Sequence, residues 1–224
     1  MLRSLNTILK KIVSRGADAD VSDPNPVRDN LTSTPEAAVR EGATSAPSRT
    51  SREKAAVHMG RGEWQEAIQE WNDTADQAVR GGAENSDLRW LFAWSKLQVA
   101  ICQWHLEAYA QSYLTLRLTV SFDRRILPLR ETRLLRARLT ALVSKERSAA
   151  YLERGIAMFP DDHALLFEYV KCLIALNHWA AAEQSVIILH ALSPSDPPVQ
   201  EMMQTIRARN VFHNLVSSER SASL

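Results

Sequence analysis

Residues 163–197 constrain the fold more than any other stretch. They read HALLFEYVKCLIALNHWAAAEQSVIILHALSPSDP. Leu165, Leu166, Tyr169, Val170, Leu173 and Leu176 recur at helical spacing, so they line one apolar stripe. Asn177 follows, a residue that tolerates the left-handed backbone found at helix ends. Trp179, Ala182, Val186, Leu189 and Leu192 then mark a second helix. Pro194, Pro197 and Pro198 stop it, because proline cannot donate to a continuing ladder. A turn this short makes the two helices antiparallel neighbours. Small Ala182 falls where they approach most closely, and Trp179 is expected to be core. Trp179→Ala would then cost roughly 3–5 kcal/mol.

The same local pattern recurs upstream. Trp64-x-x-Ala67 matches Trp179-x-x-Ala182, with Gly62 at the turn and Trp71 at the later bulky site. Thr50 and Glu53 fit a capping box at the start of this first copy. Residues 87–121 are the least regular copy. Trp90, Phe92, Trp94, Leu97, Val99 and Ile101 make its first helix apolar on several sides, which places it amid other helices. Trp104 and Ala108 stand one residue too far apart for the same motif, so either the turn is longer or Ala108 is the small residue with His105 as the aromatic, and both registers stay open. In residues 129–160, Leu135, Leu139 and Leu142 form the first stripe. Ser148 is the small residue there, Leu152 the bulky one and Pro160 the terminator. Residues 199–216 carry Met202, Met203, Ile206 and Leu215 on one side and read as an end cap.

These features resemble the tetratricopeptide repeat (TPR), a helical hairpin of about 34 residues. Aligned without gaps, Leu166, Val170 and Leu173 take first-helix sites. Asn177 takes the turn, Trp179 the aromatic, Ala182 the small site, and Val186, Leu189 and Pro194 those that follow. Pro160 lies one such period before Pro194. Val170 and Leu189 are larger than the family's usual residues. The resemblance implies an all-α solenoid of about four TPR-like hairpins over residues 49–216, ending in a capping helix. It also implies a concave groove lined by first helices. Ungapped, that assigns Arg130, Arg133 and Ala137 to the groove in the third hairpin, and Ala164, Phe167, Glu168 and Lys171 in the fourth.

Outside that domain, residues 1–15 form a short basic amphipathic helix. Leu2, Leu5, Ile8, Leu9, Ile12 and Val13 lie on one face, with Arg3, Lys10, Lys11 and Arg15 elsewhere. It reads as a dock for a partner or for its own repeats, as a contact with an anionic membrane surface, or as a transit peptide. Residues 16–48 are poor in large apolar side chains and read as a disordered tether spanning on the order of 30 Å. Residues 217–224 read as a frayed tail.

Charge marks no global nucleic-acid binder: 27 Lys and Arg stand against 26 Asp and Glu. The local basic stretch holds Arg117, Arg124, Arg125, Arg130, Arg133, Arg136 and Arg138. It reads as a solvated helix surface, or as a patch for RNA or an anionic lipid. Cys102 and Cys172 sit in apolar runs and read as buried thiols of a cytoplasmic protein. No run is apolar enough to cross a membrane. The six histidines form no HExxH, and His105-x-Glu107 lacks a Cys-x-x-Cys, so no metal, cofactor or catalytic residue is assigned.

By resemblance the function is a non-enzymatic adaptor that holds a protein or peptide in its groove, while residues 2–15 recruit a second partner or a membrane. The alternative is an assembly or regulatory subunit of a separately encoded enzyme. Partner identity, pathway and oligomeric state stay open. Deleting residues 1–15 is expected to leave helical circular dichroism and the melting temperature unchanged while altering localisation. Loss of the thermal transition would make that segment part of the fold.

Overall fold

The computed structural model describes the backbone of residues 49–81 and 85–222, with side chains placed for residues 51–81 and 85–209. The N-terminal helix and tether expected over residues 1–48 lie outside the described residues. The helices are α1 (Arg49–Arg61), α2 (Trp64–Arg80), α3 (Ser86–His105) and α4 (Tyr109–Phe122). A 3-10 turn at Arg124–Ile126 precedes α5 (Arg130–Ala141), α6 (Lys145–Met158), α7 (His163–Ala175), α8 (Trp179–Leu192) and α9 (Pro197–Ala222). No strand occurs among the described residues. The chain is all-α, and consecutive helices pack on one another within two compact units divided between Leu129 and Arg130. The first unit holds hairpins α1–α2 and α3–α4. The second holds α5–α6, α7–α8 and α9.

Three of the four hairpin turns are built alike. Gly62, Glu107 and Asn177 all have positive φ, of 75°, 58° and 59°. The amide of each donates to the carbonyl three residues back. The next amide donates five residues back: Glu63 to His58, Ala108 to Gln103, His178 to Leu173. This 6→1 bond satisfies a carbonyl that the helix end would orphan. The third turn differs because Val143 stands there. A β-branched residue resists the left-handed region, and Val143 is not among the positive-φ residues. Ser144 donates back to Thr140 instead, a tighter 5→1 closure.

That change shortens the third hairpin by one residue. Each hairpin closes at a pair of buried positions, small in every case but Val170: Ala55 and Ala67, Ala100 and Ser112, Ala137 and Ser148, Val170 and Ala182. The first two pairs and the last span 12 positions, the third 11. Where the second partner is serine, its hydroxyl is buried but satisfied. Ser112 Oγ donates to the Ala100 carbonyl at 2.7 Å, and Ser148 Oγ to the Ala137 carbonyl at 2.9 Å. One turn further along each second helix comes a large buried residue: Trp71, Leu116, Leu152 or Val186.

Several sequence expectations change here. In the second hairpin the small residue is Ser112 and the aromatic Tyr109, not Ala108 with Trp104 or His105. Ala137 is fully buried, so it lines no groove. Thr50 lies inside α1 rather than at its cap, and α9 stays helical to Ala222, past the tail expected from residue 217. Trp64 and Trp179 are half-buried rather than core, since each begins a helix at the turn end of its hairpin. Trp64 stacks flat on His105, with ring centroids 4.1 Å apart. Trp179 packs against the core of the last hairpin, with the Arg209 guanidinium 5.8 Å from its ring. Its truncation therefore costs less than full burial would imply.

Other expectations hold. Trp71, Ala67 and Ala182 are buried, and α3 packs between α2 and α4. Pro160 and Pro194 each sit just past a helix end, following Phe159 and Ser193. Helix α9 closes the last core: Val199 and Ile206 are fully buried against Val170, Leu173, Val186 and Leu189. The side chain of Leu215 lies outside the described set.

Two substitutions test this geometry. Ala182→Leu forces extra methylenes into the tightest crossing and is expected to cost about 1–3 kcal/mol by chemical denaturation. Glu107→Gly removes a left-handed non-glycine residue and is expected to stabilise by about 1 kcal/mol. A lower melting temperature for Glu107→Gly would contradict the turn described.

Candidate binding face on the first helices

In the second unit α5 and α7 lie against one another. Because the third turn is one residue shorter, their registers align with Ala137 opposite Val170 and not by the ungapped period. Leu134 therefore takes the place of Phe167, and Arg138 that of Lys171. Sequence reasoning put Arg133 and Ala137 there. Arg133 instead lies toward α6: its Cδ is 3.8 Å from where a Cβ on Gly155 would stand. Arg130 begins α5 and pairs with Asp162, the residue that caps α7. His163 repeats that arrangement one hairpin later, with Nε2 3.2 Å from Asp196 just before α9.

The face that results carries apolar and charged groups together. Leu134 and Phe167 are half-buried. Glu168 accepts from both cations beside it, Arg138 Nε at 2.9 Å and Lys171 Nζ at 3.1 Å. Lys171 also sits 5.6 Å from the centroid of the Phe167 ring, on whose other neighbour, His163, the ring stacks at 6.0 Å. Lys171 is half-exposed and Glu168 mostly buried. A mostly buried carboxylate shared by two cations orients both, and the aromatic face holds the more mobile of them. Such a surface can take an incoming carboxylate at Lys171 and an apolar side chain at Phe167.

The basic stretch is divided between the two units. Arg117, Arg124 and Arg125 belong to the first, Arg130, Arg133, Arg136 and Arg138 to the second. Most of these side chains are committed inside their own unit. Arg136 donates to the Tyr151 hydroxyl at 2.8 Å and lies over its ring. Arg125 makes a two-pronged pair with Asp123, at 3.1 Å and 2.7 Å, and reaches Ser86 at the start of α3. Arg89 meanwhile donates to the Phe122 carbonyl at 3.1 Å. Together these tie the end of α4 to the start of α3. Arg117 and Arg124 are exposed.

Burial by itself would raise the Asp123 carboxyl. The hydrogen bonds from Arg125 and the charges of Arg125 and Arg89 outweigh it and hold the group below the ordinary carboxylate range. The Cys102 thiol is pushed up to about 11 by burial, which makes it a poor nucleophile at neutral pH. Cys172 is buried at the corresponding place in α7, and its thiol lies 3.4 Å from Ser148 Oγ. Among the described residues no three His, Cys, Asp or Glu side chains gather as metal ligands, and no helix is long and apolar enough to cross a membrane.

No protein-family model matches the chain, and no curated protein does.

What the sequence missed on this face is Leu134, together with the pairing of Arg138 to Glu168. The signal was present in Val143, whose side chain argues against a left-handed turn and so against an ungapped register. The Asp162 and Asp196 pairs were also legible, since each precedes a helix as a capping residue would.

Asp123 supplies the pH test. Its carboxyl is lower folded than unfolded, so its contribution is present above the ordinary carboxylate range and is lost as pH falls through the folded value. Asp123→Asn is expected to cost about 1–3 kcal/mol at pH 7 by urea titration. The gap from the parent protein should close toward pH 2. A gap independent of pH would show that the carboxylate charge is not what holds this corner.

Proposed function

We propose that the protein is a non-enzymatic adaptor whose TPR-like hairpins hold a peptide on the α5–α7 face. The observation that carries this reading is the cluster of Phe167, Lys171, Glu168 and Arg138. It joins a half-exposed aromatic ring to a cation that is accessible yet already oriented. The chemistry fits an extended segment with a carboxylate next to an apolar side chain. The carboxylate meets Lys171 and the apolar group covers Phe167 and Leu134. Specificity comes from Glu168, which repels an acidic residue placed one step out of register.

Residues 2–15 supply the second contact in this reading, with a partner or an anionic membrane surface. The committed arginines weigh against an RNA-binding role, because a phosphate would have to displace partners the protein already provides. Arg117 and Arg124 are the exposed exceptions.

The test is affinity purification of the tagged full chain beside a Phe167→Ala, Lys171→Glu variant. Proteins recovered with the parent chain are expected to fall at least tenfold with the variant, while helicity and melting temperature change little. Equal recovery would remove this face from the reading. A single partner recovered at one-to-one stoichiometry would turn the reading toward a subunit of a fixed complex.

A further inference from the structure

Asp162 and Asp196 hold the same place one hairpin apart, yet only Asp162 has its acceptor sites filled. It accepts from the Leu165 amide at 2.9 Å and from Arg130, and its side chain is 9% exposed. Asp196 precedes α9, whose first two residues are Pro197 and Pro198. Neither proline has an amide hydrogen to give it. Among the described residues the Asp196 carboxylate accepts no hydrogen bond, and its side chain is 28% exposed. His163 Nε2 stands 3.2 Å away but lacks the alignment of a hydrogen bond. That imidazole is a counter-charge only when protonated. A carboxylate mostly withdrawn from water, with its acceptor sites idle, is stabilised by an incoming cation.

Asp196 stands at one end of the strip that carries Phe167. His163, Phe167 and Lys171 follow one another four residues apart on α7, so they share one side of the helix. The His163 ring stacks on Phe167, and Lys171 lies over the same ring. From His163 to Lys171 the helix rises about 12 Å. At the Lys171 end two cations, Arg138 and Lys171, share one carboxylate, Glu168. At the His163 end stands the idle carboxylate of Asp196. An aromatic ring lies between the two.

Given the α5–α7 face as a peptide site, on which this rests, we infer that it selects a peptide of mixed charge. An acidic side chain meets Lys171, an apolar one covers Phe167, and a lysine or arginine meets Asp196. An extended peptide rises ~3.3 Å per residue and turns alternate side chains to one side. Acid, apolar residue and base therefore fall on every second position, and the span from acid to base is about 13 Å. That matches the rise of the strip. A peptide acidic at both ends sets one carboxylate against Asp196, and one basic at both ends sets a cation against Lys171 and Arg138. Like charges repel in either case.

Fluorescence anisotropy of the full chain tests this with four end-capped peptides bearing a neutral dye, titrated to about 1 mM. One is Ala-Glu-Ala-Leu-Ala-Lys-Ala, and the second exchanges its Glu and Lys. The other two carry Glu at both places or Lys at both. Both mixed orders are needed, because a peptide can run either way along the strip. The tighter mixed peptide is expected to bind about tenfold better than the double-Glu and double-Lys peptides. Asp196→Asn should erase its margin over the double-Glu peptide with the melting temperature unchanged, since no hydrogen bond to that carboxylate is lost. A double-Glu peptide that binds the parent chain as well as the mixed ones would overturn the inference and leave the peptide face standing. So would a margin that survives Asp196→Asn. No binding by any of the four would remove the face itself, and the inference with it. Mixed-peptide binding that Phe167→Ala with Lys171→Glu does not weaken would do the same.

Discussion

Each hairpin rests on a single close approach between two helix backbones. Ala55 and Ala67, Ala100 and Ser112, Ala137 and Ser148, and Val170 and Ala182 are all buried at that approach. At least one member of each pair has no γ-carbon, Val170 being the one larger partner, so the helices come near and the larger residues above and below then interdigitate. Serine serves as well as alanine because its hydroxyl finds a carbonyl on the facing helix. The first-helix residue two places on can also reach the preceding hairpin. Cys172 does so through Ser148, and Cys102 shares a core with Ala67. The small position thus sits where three helices converge.

The turns follow from the same constraint. A left-handed residue reverses the chain with the fewest residues and consumes a carbonyl that would otherwise be orphaned. Gly62 and Asn177 suit that conformation, and Glu107 adopts it at some cost. Val143 does not adopt it, and the chain responds by closing one residue earlier. One branched side chain thereby moves every first-helix position of the third hairpin by one relative to the fourth. That shift removes Ala137 from the surface and brings Arg138 beside Glu168.

Electrostatics then fastens the hairpin ends. Arg130 with Asp162, and His163 with Asp196, place a cationic or titratable group at the start of one first helix against the carboxylate that precedes the next. Asp123 and Arg125 fasten the corner of the first unit. These pairs explain why a stretch rich in arginine presents fewer available cations than its composition suggests. Among the described residues, the mixed face at Phe167 and Lys171 is a place where the chain leaves an aromatic ring and a cation accessible together.

Much of the fold could be read from residue order alone. Helical spacing of apolar residues, the small residue three places after Trp64 and Trp179, and prolines past the helix ends are local features, and local features survive without coordinates. Even Ser112 was legible once serine at position 148 had been accepted as small. The binding face was not legible, because it depends on register between helices from different hairpins. A one-residue difference in turn length is invisible to periodicity within either helix, yet it decides which side chains meet. The same holds for Glu168 and for Asp123. Glu168 meets Arg138 from 30 positions away, and Arg125, which holds Asp123, reaches Ser86 39 positions back. Residue order determined which helices form and which faces they bury. Packing between them decided which charges are spent and which remain, because only the assembled backbone sets the distances over which charges act.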